Sequence, residues 1–259
     1  MFEKLEQIAA RLAQVEELLS DGDLYQDPPR AAKLLKEQKE LQPVVDAYRQ
    51  WKQLGEELEQ AKELEAKGYQ EIVITGIEIA SWGVDLPGKP GVQTLIAGVC
   101  QAVPMLRVRL GSLEPRVITE EFCRGMQNYP NLCPQFHLSM QSGSDSVLKR
   151  MKRKYDTARY LESVNLLRRY FPGCAITTDM IVAFPGETEE EFAESLAFIQ
   201  KCAFADMHIF PYSRRPGTPA ASLPGQHDNA TKERRSREAM AVAEQMRSAY
   251  CQALVGTCQ

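Results

Sequence analysis

The stretch Ala175 to Glu187, AITTDMIVAFPGE, limits the possible folds more than any other part of the chain. It opens as an apolar, β-branched run from Ile176 to Phe184 and breaks at Pro185-Gly186. An acidic helix start follows at Glu187-Thr188-Glu189-Glu190-Glu191. An apolar strand closed by Pro-Gly and followed by a helix is the βα unit of a parallel sheet. Asp179 lies inside that strand. A carboxylate there is costly unless partnered, so it is either functional or satisfied by a basic neighbour.

The pattern recurs along the chain. Strands are expected at Glu71–Ile77, Arg107–Leu113, Phe136–Gln141 and Met207–Tyr212, with helices at Thr94–Val103, Thr119–Met126, Val147–Met151, Thr157–Tyr170, Glu189–Lys201 and Thr231 to about Leu254. About five strands alternating with helices predict a parallel α/β fold, a (βα) barrel or partial barrel. With 259 residues, 44% of them hydrophobic, there is material for one large domain, or one domain plus an accessory piece. In such folds the chemistry gathers at the C-terminal ends of the strands. Those ends carry Gly, Ser, carboxylates and Arg, which suit a polar ligand but also serve turns.

Residues 1–65 read differently, as an all-α helical hairpin. Leu5, Ile8, Leu12, Val15 and Leu19 recur at helical spacing. Ser20-Asp21-Gly22-Asp23 stops that helix, and Asp27 before Pro28-Pro29 caps the next. Pro43 is expected to kink or restart it. A third stretch then runs through Val44, Val45, Tyr48, Trp51, Leu54, Leu58, Ala61 and Leu64. The composition changes at Ala66, giving a barrel segment over 66–230 and a C-terminal helix with its sequel over 231–259.

Net charge −4 argues against a surface that grips nucleic acid everywhere, but leaves room for a local basic patch. Lys149, Arg150, Lys152, Arg153 and Lys154 form one, suited to RNA phosphates or simply a solvated helix face. No apolar run is long enough to cross a membrane, and the acidic, helical start MFEKLEQIAARL is no signal peptide. A cytoplasmic location is the default. The seven cysteines, at 100, 123, 133, 174, 202, 251 and 258, show no metal-ligand spacing. They read as free thiols, several of them buried. His137 reads as an ordinary strand-end histidine.

Five ordered pieces, EIVITGIEIASWG, RVRLGSLEP, FHLSMQSGSDSVLKRMKRKY, AITTDMIVAFPGETEEEF and HIFPYSRRPGTPAA, resemble the radical S-adenosylmethionine methylthiotransferases. The third and fifth are most similar to the branch acting on N6-threonylcarbamoyladenosine at tRNA position 37, with the isopentenyladenosine branch the near competitor. The resemblance implies a radical SAM-type barrel that binds S-adenosylmethionine, a [4Fe–4S] cluster held by a Cys-x-x-x-Cys-x-x-Cys loop, and tRNA as partner. That loop is absent here, and helices stand in its place. The family's N-terminal domain and C-terminal RNA-binding β-barrel are expected to be missing too.

The resemblance places Thr75, Gly76 and Glu78 near the methionine amino group. It puts Ser112, Glu114, Gln141, Ser142 and Asp179 along the adenosyl pocket, and Arg215 and Thr218 at the barrel mouth. No catalytic residue and no metal ligand is assigned. Ala183 stands where the family usually has Gly, and Gly111 where it usually has Ser. Residues 1–65 resemble the N-terminal helical domain of bacterial class-one peptide chain release factors, without the Gly-Gly-Gln tripeptide that acts at peptidyl-tRNA. This implies a possible ribosome contact. Three expectations follow: an inactive truncated or chimeric methylthiotransferase, a ribosome-associated module, or a join of two genes between Leu58 and Tyr69. An open barrel also exposes the edge of the first strand and predicts poor solubility unless Ala61 to Lys67 cover it.

Overall fold

The computed structural model describes residues 2–20, 27–76, 78–84 and 89–257. The helix stop at Asp21-Gly22-Asp23, Ile77, the Pro87-Gly88 turn, the side chain of Leu54 and Cys258 lie outside the described residues. The chain divides into two compact units, Met1–Gly68 and Tyr69–Gln259.

The first unit is a helical hairpin of α1 (Phe2–Leu19) and α2 (Pro28–Ala66). The Asp27 carboxylate accepts from the Arg30 N–H and caps α2, with proline in its first turn. Val15, Ala31 and Leu34 form a core, joined by Leu19. Leu12 and Val45 are fully buried too. Arg11 grips Glu37 across the hairpin through two bonds of 2.7 and 3.0 Å. The expected break at Pro43 does not occur, and α2 runs through it. Proline removes one N–H from the helical ladder, but the burial of Val45 just beyond it holds the next turn in place.

The second unit is a partial parallel α/β barrel. Its strands are β1 (Glu71–Ile74), β2 (Arg107–Leu110), β3 (Ser112–Leu113), β4 (Gln135–Leu138), β5 (Ala175–Val182) and β6 (Asp206–Pro211). The helices are α3 (Val92–Ala102), α4 (Glu120–Met126), α5 (Asp145–Arg150), α6 (Thr157–Tyr170), α7 (Glu189–Cys202) and α8 (Asn229–Leu254). β1 pairs with β2, and β3, β4, β5 and β6 pair in that order, all parallel. The strand expected over Arg107–Leu113 is thus split at Gly111, whose N–H donates to the Ile74 carbonyl at 2.8 Å. A Cβ at Gly111 would lie 3.0 Å from Thr75 Oγ1 and 3.2 Å from the Ile74 oxygen. The absence of a side chain lets β1 come this close.

Strand neighbours therefore follow chain order, as in a barrel and not as in a sheet that reverses at its centre. Among the described residues β1 and β6 do not pair, so the barrel is open. No described helix is long and apolar enough to cross a membrane.

Candidate functional site

Side chains on β5 alternate in burial. Ile176, Thr178, Met180 and Val182 are buried, whereas Thr177, Asp179 and Ile181 share the opposite, half-open face. Gln135 and His137 of β4 show the same half-open burial. Register sets His137 beside Thr177 and Asp179 beside His208.

A single hydrogen-bonded chain crosses this face. Glu71 takes Arg109 Nε and Nη2 at 2.7 and 2.9 Å, and Arg109 Nη1 donates to Gln135 Oε1 at 3.1 Å. Gln135 Nε2 donates to Thr177 Oγ1 at 3.0 Å. Thr177 Oγ1 meets His137 Nδ1 at 3.0 Å, and His137 Nε2 meets Asp179 Oδ2 at 3.3 Å. His208 Nδ1 reaches Asp179 Oδ1 at 3.3 Å. The direction of the chain follows from its ends. Arg109 can only donate, so Gln135 presents its oxygen to Arg109 and its amide to Thr177. Asp179 as a carboxylate only accepts, so both imidazoles turn N–H groups toward it. A neutral His137 then accepts the Thr177 proton at Nδ1. Asp179 thus holds two imidazoles. His137 is no isolated strand-end residue, and its spacing of two from Gln135 was the available signal.

The other expected residues divide into groups. Thr75, Gly76 and Glu78 are exposed beyond the C-terminal end of β1, and Ser112 is exposed where β3 begins. Glu114 is held by Arg116. Gln141 continues the β4–β5 ladder: its N–H donates to the Asp179 carbonyl and its carbonyl accepts from Ile181, each at 2.9 Å. Ser142 is fully buried and its hydroxyl lies 3.3 Å from Ser195 Oγ of α7, so it anchors the loop against that helix. Gly143 allows the close approach, since a Cβ there would fall 2.8 Å from Ser195 Cα. Arg150 is likewise engaged, pairing through both terminal nitrogens with Glu191. Lys149, Lys152, Arg153 and Lys154 are exposed. Arg215 and Thr218 form a turn in which the Thr218 hydroxyl donates to the Arg215 carbonyl at 2.8 Å.

Beyond β5 the AFPGE element is locked from beneath. Glu187 Oε2 accepts from the Ala183 N–H at 2.6 Å and from Arg235 Nη1 at 2.8 Å. Arg235 also reaches Glu189 at 2.8 Å and lies over the Phe192 ring. Both partners of the Glu187–Arg235 pair are buried, with side chains 0% and 2% exposed. Burial pushes the Glu187 carboxyl up, against the pull of the Ala183 N–H and Arg235. Ala183 has φ +57, a left-handed conformation that glycine adopts freely and alanine resists.

Burial pushes the Cys100, Cys123 and Cys174 thiols up to about 11 and Cys202 to about 12, which disfavours the ligating thiolate at these four positions. Among the described residues no three His, Cys, Asp or Glu side chains converge as metal ligands.

The family model of the radical SAM superfamily matches residues 42–199. The chain belongs to that superfamily. Curated relatives of this radical SAM chain include the threonylcarbamoyladenosine tRNA methylthiotransferase MtaB of Bacillus subtilis, 38% identical over 75% of this chain and 43% of the relative. MtaB of Thermotoga maritima is 42% identical over 68% of this chain and 40% of its own length. The tRNA-2-methylthio-N(6)-dimethylallyladenosine synthase of Acidothermus cellulolyticus is 40% identical over 78% and 41%. The chain thus spans well under half the length of these relatives. Among solved structures, coproporphyrinogen III oxidase HemN from Escherichia coli superposes with TM-score 0.56 at 15% identity, covering 76% of this chain and 47% of that one. The radical S-adenosylmethionine methyltransferase TsrM from Kitasatospora setae gives 0.53 at 16%, covering 65% and 32%. These two likenesses support the fold alone.

Proposed function

We propose that this chain is the S-adenosylmethionine-binding barrel segment of a cytoplasmic enzyme that methylthiolates N6-threonylcarbamoyladenosine at tRNA position 37, and that it is catalytically incompetent by itself. The observation that carries the reading is identity of 38–42% to tRNA methylthiotransferases across at least 68% of the chain. The ordered pieces HLSMQSGSDSVLKRMKRKY and HIFPYSRRPGTPAA favour the threonylcarbamoyladenosine branch over the dimethylallyl one.

In this reading Thr75, Gly76 and Glu78 receive the methionine end of S-adenosylmethionine, where an exposed carboxylate suits an ammonium group. Ser112 and Asp179 face the adenosyl part. The Arg109-to-Asp179 chain keeps Asp179 an acceptor and holds His137 and His208 as donors toward it. Four buried thiols held in the protonated form, and no convergent ligand group among the described residues, support a chain to which no cluster-dependent step is assigned.

The test is anaerobic reconstitution with iron and sulfide, followed by S-adenosylmethionine and reductant. The expected result is weak S-adenosylmethionine binding in calorimetry, weakened further by Asp179→Ala, with no cluster absorbance and no 5′-deoxyadenosine. Stoichiometric cluster uptake and cleavage, abolished by replacing any one cysteine, would overturn the incompetence. Unchanged binding in Asp179→Ala would overturn the pocket.

A second reading treats the first unit as a ribosome-docking module of the release-factor kind. It is favoured by a two-helix hairpin with its own buried core of Val15, Ala31 and Leu34. Co-sedimentation with ribosomes that persists when Leu12 and Val15 are intact, and is lost when residues 1–66 are deleted, would support it.

A further inference from the structure

α8 sorts its charges by face. Arg234 and Arg235 are ion-paired with Glu189, Glu238 and Glu187. Positions 229, 232, 233, 236, 237 and 240 follow helical spacing and line a different space, a cleft of about 620 Å³ between α8 and the end of β6. The loop after β6 adds Arg214 to it. Among the described residues, Arg214, Lys232 and Arg237 have no carboxylate within ion-pair distance, although acids outnumber bases by 35 to 31 along the chain. Two hydroxyls lining the same cleft, Tyr212 and Ser236, are buried without a hydrogen-bond partner, and Ser236 is only 9% exposed. Lys232 Nζ sits 5.9 Å from the Tyr212 ring centroid, held at the cleft wall. Glu233 is the one carboxylate in the lining.

Three cations without a carboxylate partner and two unsatisfied buried hydroxyls along one cleft suit an anion rich in acceptor oxygens. We propose that the Arg214–Lys232–Arg237 cleft binds the phosphate backbone of the RNA substrate. The inference deepens the tRNA reading and rests on it. A run of phosphodiesters suits the cleft better than one small anion, because the cations come from two separate elements, the loop after β6 and α8, each free to neutralise a different phosphate.

The experiment uses the full chain and a fluorescein-labelled anticodon stem-loop RNA in an anisotropy titration, repeated across a salt series. The variant Arg214→Gln/Lys232→Gln/Arg237→Gln should bind about tenfold more weakly at low salt, and its log–log salt slope should be shallower by about 0.7 for each phosphate that is no longer neutralised. A control removing three cations elsewhere, Arg169→Gln/Lys201→Gln/Arg247→Gln, should stay within about twofold with the slope unchanged. Circular dichroism melts establish that both variants fold. Each single substitution, Arg214→Gln and Arg237→Gln, gives the same reading in smaller steps if the triple variant does not fold. In a competition arm, inorganic phosphate should displace RNA only where chloride of equal ionic strength does. Displacement at far lower phosphate concentration would mark a small-anion site and overturn the proposal. Wild-type binding that survives unchanged in the triple variant overturns the cleft and leaves the tRNA reading standing. A wild-type chain with no affinity for the RNA overturns both.

Discussion

Replacing Arg235 by methionine tests the lock beneath the AFPGE element. The substitution keeps an unbranched apolar stem and removes the guanidinium. It leaves the fully buried Glu187 with one remaining donor, the Ala183 N–H at 2.6 Å. Removing one partner of a buried ion pair costs about 3–5 kcal/mol, because the charge left behind is uncompensated. Against a total stability of about 5–15 kcal/mol this is about a fifth of the whole or more. The double variant Glu187→Gln/Arg235→Met removes the stranded charge while keeping an oxygen for Ala183. It should recover at least about 2 kcal/mol of the loss, since the penalty lies in the charge and not in the shape.

The pH dependence has a definite sign. Burial raises the Glu187 carboxyl above its ordinary 4.5 in the folded chain. Its favourable contribution is complete below the unfolded value and is lost as pH rises through the folded one. Without Arg235 the folded value climbs further, so Arg235→Met should be less destabilised near pH 5 than near pH 8. Urea unfolding followed by circular dichroism at both pH values reads all of this. A loss below about 1 kcal/mol in Arg235→Met, or a double variant no more stable than the single, would refute the reasoning.

Other substitutions read other parts of the fold. Ala183→Gly relieves about 1–2 kcal/mol of left-handed strain but gives up a buried methyl and adds chain entropy, so its melting temperature should barely move; Ala183→Val should lower it strongly. Tyr160→Phe removes a buried hydroxyl bonded to the Leu138 carbonyl at 2.9 Å and to Thr178 at 3.2 Å, and should cost about 1–2 kcal/mol in urea unfolding. Gly143→Ala should destabilise the chain, because the new methyl meets backbone atoms of α7. Arg150 and Ser146 hold the Glu191 carboxyl down to about 2, so its stabilisation is present above 4.5 and lost as pH falls from there toward 2. Glu191→Gln should flatten that acid limb in a stability-against-pH titration.

The alternation of strands and helices was readable because parallel strands declare themselves as short apolar runs closed by Gly and Pro. Thr157–Tyr170 is observed with the bounds expected for it. The split of the second strand was not readable, since Gly111 within RVRLGSLEP looks like any strand glycine until Thr75 is seen 3.0 Å from where its Cβ would be. Pro43 misled for a related reason. Proline's local cost is visible in the sequence, but the packing of Val45 that outweighs it is not. At the site, residue types were readable and their partners were not. Ser142 and Arg150 looked available for ligands because nothing in the sequence says that α7 presents Ser195 and Glu191 to them.

Asp179 carries the same ambiguity. Read alone, a carboxylate in a strand is either functional or neutralised by a basic neighbour. The structure supplies two neutralisable partners and no permanent cation, since both contacts are imidazoles at 3.3 Å. Arg109 is held by Glu71 and is linked to Asp179 through Gln135, Thr177 and His137. What passes along that line is orientation and not charge: each group is forced to donate in one sense because Arg109 cannot accept. Glu187, by contrast, pairs directly with a buried arginine, Arg235. Asp179 instead remains 28% exposed beside a His208 that is 70% exposed, so the carboxylate stays accessible from the open face. Gln135→Leu separates the two roles. It cuts the line between Arg109 and Thr177 without touching Asp179 or either histidine. If orientation is what the line supplies, this variant should keep its fold in circular dichroism while its S-adenosylmethionine affinity falls in the same direction as that of Asp179→Ala. An affinity identical to wild type would show that Asp179 acts without the line behind it.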